Sequence, residues 1–522
     1  MKNFLLAGLI FLKTGLLFLF SISLSAQPTI EWQKCLGGTD AEDARGIYVT
    51  NDGGFVVTGK TLSNNGDVTG NHGVTDFWVV KLNGLGAIQW QKTLGGSNHD
   101  RGYSIQQTSD GGYIVAGHTE SNNGDVSGFH GDIDFWVVKL NGLGVLQWQK
   151  TLGGSGWDEA WSVRQTTDGG YIVAGRTTSN DGDVTGNHGA FDFWIVKLDE
   201  IGNLQWQKTL GGSMVDIGYA VRQTIDGGYI VTGESDSNDG DASGLNGSGD
   251  FWVVKLNAVG TLEWQKMLGS TSHDRPNDIY PTNDGGYIVV GIASWNDGDV
   301  TGNHGGFDIW AVKLNAIGEI EWQKSLGGSK EDYAQSVQQT TDGGFIIAGS
   351  TSSLDGDVLG NDGGVDFWIV KLTPDGELQW QKTVGGTQAD RALSIHQSSD
   401  GGYIVAGYTQ SNNSGDVSGF HGVQDYWVVK FSPESVGTKD FLSQSSNLEI
   451  YPNPASHNIT LRLASEEPTI TVTITDLLGR QLSRQTIPNG GSPDISALPN
   501  GLYLVTATTP SGKVFAGKFR KQ

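Results

Sequence analysis

A repeat of 58 residues constrains the fold of this chain more than any other feature. The motif Ile/Leu-x-Trp-Gln-Lys occurs seven times at intervals of 58, with its tryptophan at Trp32, Trp90, Trp148, Trp206, Trp264, Trp322 and Trp380. A second tryptophan follows each Asp-Phe or its variant, at Trp78, Trp136, Trp194, Trp252, Trp310, Trp368 and Trp427. Its last interval is 59 because Ser414 is inserted. A fixed period of this length is the signature of a repeat architecture.

Each unit is predicted to contain four short strands. In one unit the strands are predicted at 88–92, 103–107, 113–117 and 135–140. Asp110-Gly111-Gly112 predicts a tight hairpin between the middle two, because Asp-Gly supplies the positive φ angles of such turns. Nothing in the unit has helical periodicity. The sequence therefore predicts an all-β chain.

Seven units of four strands indicate a seven-bladed β-propeller over residues 27–438. Two-sheet domains need about 100 residues each, and solenoid coils are shorter and linear. The chain begins with a Trp-Gln-Lys strand at 30–34 and ends without one after 426–430. We therefore expect the N-terminal strand to complete the last blade and remove its open edge.

The repeat resembles a known family. The pattern Trp-Gln-Lys-x-Leu-Gly-Gly, an acidic residue, Asp-Gly-Gly-Tyr-Ile-Val-Ala-Gly and Asp-Phe-Trp-Val-Val-Lys-Leu is similar to the bacterial β-propeller repeats called SBBP repeats. The resemblance covers residues 30–438. It implies a propeller fold and little about activity, since propellers include enzymes, lectins and scaffolds.

The N-terminus indicates export. Residues 1–26 combine Lys2, an apolar run at 5–20 and small residues before Gln27, which predicts a secretory signal peptide. No other apolar run is long enough for a transmembrane span. The single cysteine, Cys35, excludes an intramolecular disulfide.

The composition also limits the partners. The formal charge of −24 disfavours binding to nucleic acid or anionic membranes. We expect a monomer on the outer cell surface or in the medium.

The C-terminus differs from the repeats. A linker is predicted at 439–446, and alternating strands with Pro and Gly turns predict a small β-sandwich at 447–522. Tyr451-Pro452-Asn453-Pro454, the segment 476–480, the segment 495–503 and the basic end at 518–522 resemble the type IX secretion system C-terminal sorting domain. The resemblance implies export across the outer membrane through the type IX secretion machinery, which would be the partner of residues 447–522.

Carboxylates recur at fixed positions in the repeats. One acidic residue precedes each second strand, as Asp100 does, and either caps a loop or lines a central channel. Two aspartates nine residues apart mark each long loop. These oxygen-rich loops are candidates for binding Ca²⁺, at Asp67, Asp125, Asp181, Asp183, Asp299 and Asp357. Asx turns are the alternative. Histidines on five of the loops are expected to face solvent.

Departures from the repeat give the candidates for a binding site. Trp157 and Trp161 flank Asp158, and Trp295 follows the fifth unit's hairpin. Exposed aromatic side chains stack on sugars or peptides, so these three are the aromatic candidates. Comparison of the units shows no clustered set of unique polar residues, and no catalytic motif is present. The sequence thus favours a binding or structural module for an extracellular glycan or protein. An enzyme that degrades extracellular polymers, using an asymmetric propeller face, is the alternative, as is an envelope repeat protein without a small ligand.

Overall fold

The structure is a computed structural model that describes residues 25–361, 363–436, 448–463, 468–475, 481–510 and 514–522. The predicted signal peptide, apart from its last two residues, and the predicted linker lie outside these residues. The described chain is all-β and divides into two compact units, one of which is residues 27–433. None of the described segments forms a helix long and apolar enough to cross a membrane.

Residues 27–433 form seven four-stranded antiparallel sheets. The first sheet comprises β3 (Glu42–Val49), β4 (Phe55–Thr61), β5 (Asp76–Leu82) and β6 (Ile88–Leu94). The second comprises β7 (Asp100–Gln107), β8 (Tyr113–Thr119), β9 (Asp134–Leu140) and β10 (Leu146–Leu152). The third comprises β11 (Asp158–Gln165), β12 (Tyr171–Thr177), β13 (Asp192–Leu198) and β14 (Leu204–Leu210). The next two comprise β15 (Asp216–Gln223), β16 (Tyr229–Ser235), β17 (Asp250–Leu256) and β18 (Leu262–Leu268); and β19 (Arg275–Pro281), β20 (Tyr287–Ala293), β21 (Asp308–Leu314) and β22 (Ile320–Leu326).

The last two sheets include both ends of the unit. The sixth comprises β23 (Asp332–Gln339), β24 (Phe345–Thr351), β25 (Asp366–Leu372) and β26 (Leu378–Val384). The seventh comprises β27 (Asp390–Gln397), β28 (Tyr403–Thr409), β29 (Asp425–Phe431) and, as its fourth strand, the N-terminal β2 (Ile30–Leu36). The predicted pairing of the terminal strands is therefore present, with Cys35 opposite Trp427. Each sheet spans two sequence units, because every Trp-Gln-Lys strand completes the preceding sheet.

Each middle hairpin turns at its Asp-Gly-Gly segment. Gly111 has φ +81°, and its N–H donates to the carbonyl of Thr108. Asp110 has no positive φ; its carboxylate instead accepts from Gly112 N at 3.0 Å and pairs with buried Lys139 at 2.9 Å. The prediction of a turn is correct, and its physical basis is one left-handed glycine plus a capping carboxylate.

The core lies between neighbouring sheets. Phe77 and Val79 of one sheet pack against Tyr113 and Trp136 of the next. The second tryptophan of every unit is fully buried, and its indole N–H donates to a glutamine of the Trp-Gln-Lys strand, as Trp136 does to Gln149 at 2.8 Å. Every first strand contacts the first strand of the next sheet, and β27 contacts β3.

The C-terminal region forms two further sheets. β31 (Leu448–Tyr451) pairs with β32 (Thr460–Leu463), and the other sheet has the order β34 (Gln481–Pro488), β33 (Thr469–Thr475), β35 (Gly501–Thr508) and β36 (Val514–Lys521). Short strands β1 (Ser25–Ala26) and β30 (Ser435–Val436) pair with each other. One apolar cluster, including Ile459, Val472 and Phe519, packs both C-terminal sheets together.

Candidate functional site

A β-bulge lies in the first strand of every one of the seven sheets. In β7 the register skips Tyr103, since Gly102 faces Gly117 while Ser104 faces Ala116. A Cβ on Gly117 would lie 1.8 Å from the carbonyl oxygen of Arg101, so glycine is needed opposite the bulge. A bulge leaves one residue unpaired and redirects its side chain. The seven bulge residues, here called the waist residues, are Arg45, Tyr103, Trp161, Tyr219, Asn277, Gln335 and Leu393.

The waist residues line two cavities between the seven first strands. The smaller cavity has a volume of about 450 Å³ and is also lined by Tyr48, Arg164, Arg222 and His396. The larger cavity has a volume of about 520 Å³ and is also lined by Arg176, Arg275, Arg391 and Tyr408. Both volumes are in the range of sites for small ligands.

The waist breaks the symmetry of the repeat. Seven equivalent positions carry seven side chains of six residue types, whereas the Asp-Gly-Gly turns and the Trp-Gln-Lys motifs are the same in every unit. The prediction that no clustered set of unique polar residues exists is therefore wrong. The signal was present in the sequence as variable positions in the predicted second strand of each unit, but equivalent residues are 58 residues apart, and only the fold brings them together.

Arginine is concentrated at these cavities. Residues 27–433 contain seven arginines, and six of them line a cavity: Arg45, Arg164, Arg176, Arg222, Arg275 and Arg391. The other, Arg101, has a buried Nε without a hydrogen-bond partner. In a chain with a formal charge of −24, this clustering of guanidinium groups brings positive charge to the cavities. Such a site attracts anionic groups by field focusing.

Three cavity arginines are neutralised by carboxylates. Arg45 pairs with Asp43 at 2.7 Å, and Arg176 pairs with Glu159 at 2.6 Å. Further inside, Arg222 pairs with Asp278 at 2.7 Å. Ion pairs of this kind orient the guanidinium groups.

Trp161 is the sequence candidate that reaches the cavities. Its ring stacks on Tyr103, with centroids 4.4 Å apart, and meets Tyr219 edge-on at 5.7 Å. Its indole Nε1 is buried and has no hydrogen-bond partner. Trp157 and Trp295 are 44% and 60% exposed and line neither cavity. The structure thus separates the three aromatic candidates.

The acidic residue predicted to precede the second strand of each sequence unit caps a loop. Asp100 is fully buried, and it accepts hydrogen bonds from Gly96 N at 2.8 Å, from Ser121 Oγ at 2.9 Å and from Thr119 Oγ1. The alternative of a ring of carboxylates around a channel is wrong, because these groups satisfy backbone and hydroxyl donors inside the protein.

The long loops place their aspartates on backbone N–H groups. Asp181 accepts from Ser155 N at 2.7 Å. The other calcium candidates accept more weakly from a glycine N–H at 3.3 to 3.4 Å: Asp67, Asp125, Asp183, Asp299 and Asp357. Within the described ranges, no group of three or more His, Cys, Asp or Glu side chains could hold a metal ion. The geometry is that of Asx capping.

The second loop aspartate is buried beside a histidine. Asp134 accepts from His130 N at 2.8 Å, and His130 Nδ1 lies 3.0 Å from the same oxygen. Burial raises the pKa of Asp134 to about 6, although these contacts lower it. The same pairing recurs at His72, His188, His304 and His421. The loop histidines are thus partly exposed partners of a buried carboxyl group.

Comparison with known proteins identifies the C-terminal region. Residues 449–519 match the secretion system C-terminal sorting domain. The protein is therefore exported to the cell surface or secreted, and the match implies interaction of its tail with the type IX secretion machinery.

The repeat region has only distant likenesses. The chain is 23% identical over 245 residues to the regulatory protein FlaEY of Caulobacter vibrioides, covering 42% of this chain and 26% of that protein. It thus spans about a quarter of that relative's length. A structure described as the extracellular domain of a hybrid two-component system from B. thetaiotaomicron has a TM-score of 0.39 and 11% identity, covering 95% of this chain and 60% of the other. A luciferin-regenerating enzyme has a TM-score of 0.34 and 8% identity, covering 78% and 96%. At such low scores, these likenesses support no inference about function.

Proposed function

We propose that residues 27–438 form a closed seven-bladed β-propeller of SBBP-type repeats that acts as an extracellular binding module. The pairing of β2 with β29 and the contact of β27 with β3 support the closed ring. Closure buries an apolar face of the seventh sheet, with Tyr426 and Val428, against the first sheet around Trp78. The tail at 447–522 then directs this module through the type IX machinery.

The waist residues are the main support for the proposal that the protein binds a ligand. Six different residue types at the seven equivalent bulges distinguish this surface from the repeated scaffold around it. Stacked Trp161 and Tyr103, the free indole N–H of Trp161 and the cavity arginines supply apolar contact, hydrogen-bond donors and positive charge together. Sites that bind ligands combine such features in one concave surface. We infer that the ligand is an extracellular glycan or protein that presents an acidic group.

Binding fits the cavity better than catalysis does. A hydrolase acting on an extracellular polymer needs carboxyl groups free to transfer protons or attack. The carboxylates Asp43, Glu159 and Asp278 each form an ion pair with an arginine at 2.6 to 2.7 Å. We therefore place the enzyme hypothesis second. Screening the purified protein on glycan and protein arrays, with polysaccharide hydrolysis assayed in parallel, tests both: product release would favour the enzyme.

A further inference from the structure

Three arginines line the smaller cavity, and among them Arg164 is the one without a carboxylate partner in the described chain. Its Nη1 donates to Ser104 Oγ at 2.8 Å and to the carbonyl of Val163 at 2.6 Å. No ion pair joins Arg164 to any carboxylate of the described chain, and its Nε and Nη2 make no hydrogen bond there. By contrast, Arg45 and Arg222, which line the same cavity, are paired with Asp43 and Asp278. One guanidinium group in this cavity therefore has no ion-pair partner within the described chain.

Two phenol groups face the same space. Tyr48 and Tyr280 line the smaller cavity, and within the described residues neither hydroxyl makes a hydrogen bond. Both rings lie close enough to Arg164 to interact with its charge. Gln106 and Gln338 complete the polar lining. The cavity thus presents several unused donors around a single unpaired cation, which is the chemistry that recognises an anion.

We propose that the smaller cavity binds a small carboxylate-bearing anion, with Arg164 as the charged ligand group and Tyr48 and Tyr280 as hydrogen-bond donors. The proposal rests on the proposed function in one respect, because it assigns the acidic group of the ligand to this cavity. A volume of about 450 Å³ admits a monosaccharide acid or a short dicarboxylate. A free metabolite and the acidic end of a polymer share this chemistry.

The electrostatics of the neighbours support the assignment. Burial and, to a lesser extent, the charge of Arg222 together lower the pKa of Arg164 to about 9, against the opposing effect of Asp278. The pKa of His396 is lowered to about 3 by burial and by Arg164 and Arg222, so this ring is neutral at pH 7. The positive charge at Arg164 therefore persists at neutral pH at a cost in folding free energy, which a bound anion would offset.

The test measures the melting temperature of the full mature chain at pH 7 against increasing citrate, glucuronate, acetate or sulfate. Wild type should show a saturable rise with at least one carboxylate. Arg164→Gln should lose that rise and, without ligand, melt at the same temperature or higher. Lys92→Gln removes one positive charge from strand β6, outside the cavity, and should keep the full response.

The outcomes separate the possibilities. A saturable rise with glucuronate alone indicates a sugar acid, and an equal rise with citrate and acetate indicates a general carboxylate site; both support the proposal. A response to sulfate alone, the same response in Arg164→Gln, or no saturable response in wild type overturns it. Loss of an array-identified ligand in waist variants, with no carboxylate response, would overturn this inference while leaving the proposed function standing. A saturable carboxylate response in wild type, with no loss of the array-identified ligand in waist variants, would overturn only the proposed function.

Discussion

The indole of Trp161 lies on the phenol ring of Tyr103, with ring centroids 4.4 Å apart and an interplanar angle of 28°. The two residues are separated by one repeat in sequence, and both are bulge residues of adjacent first strands. The guanidinium group of Arg45, the preceding bulge residue, lies over the Tyr103 ring, 5.8 Å from its centroid. Three successive waist positions thus form one aromatic and cationic surface, worth about 0.5 to 1.5 kcal/mol per aromatic pair beyond area burial.

The ion pair between Arg222 and Asp278 should be essential for the stability of residues 27–433. The two side chains are only 12% and 10% exposed. Removing one partner of a buried pair leaves a buried charge and costs about 3 to 5 kcal/mol. We expect Arg222→Gln to lower the free energy of unfolding by about that amount in urea denaturation. The double variant Arg222→Gln/Asp278→Asn should recover most of it. Equal losses in the single and double variants would contradict this account.

The N-terminal strand should stabilise the seventh sheet. Deletion of residues 27–37 removes β2, exposing the ladder of β29 and the apolar cluster around Trp427. We expect a fall of many degrees in the melting temperature, or failure to fold. A matched control deletes residues 437–522, which include no strand of the seven sheets. An unchanged melting temperature after loss of β2 would show that the ring does not depend on it.

Trp136 and Trp161 show how much of the structure could be predicted from the sequence. Trp136 recurs every 58 residues in an apolar strand, so its burial in the fold was predictable from period and composition. Trp161 recurs nowhere, and its partner Tyr103 is a different residue type; their contact depends on a bulge that the linear pattern does not mark. Repetition predicts a scaffold, whereas the site consists of what is not repeated.

The contribution of three buried aspartates to stability should fall as the pH rises through about 6. Asp134, Asp250 and Asp308 have their pKa raised to about 6, chiefly by burial, from a model-compound value of 3.8. Because the folded state holds these protons more tightly than the unfolded state, their contribution is fully present below pH 3.8 and is lost above pH 6. Relative to wild type, Asp134→Asn should raise the melting temperature more at pH 7.5 than at pH 5. The control Asp132→Asn, at an exposed position, should leave the pH dependence unchanged. An effect of Asp134→Asn on the melting temperature that is equal at pH 5 and pH 7.5 would contradict this prediction.

Chelation should leave the loops intact. The candidate calcium aspartates already accept backbone hydrogen bonds, as Asp181 does from Ser155 N at 2.7 Å. We expect equal rates of proteolysis in the presence of EDTA and of millimolar Ca²⁺. Protection by Ca²⁺ that is absent with Mg²⁺ would instead assign these loops to metal binding.

The C-terminal domain should decide the location of the protein. Residues 449–519 match a secretion system sorting domain. A chain without residues 447–522 should therefore accumulate in the periplasm, as shown by cell fractionation. Surface display of this truncated chain at the normal level would contradict the assignment.

Binding to the waist is the central claim, and a comparison of two tryptophan variants tests it most directly. The affinity for a ligand identified on the arrays would be measured for wild type, Trp161→Ala and Trp295→Ala, each checked for folding by its melting temperature. Trp161 lines both cavities, whereas Trp295 lies on an exposed loop outside them. We predict a loss of at least about tenfold in affinity, or 1.4 kcal/mol, for Trp161→Ala and none for Trp295→Ala. Wild-type affinity in a folded Trp161→Ala variant, with loss in Trp295→Ala, would place the ligand on the loops and contradict the account.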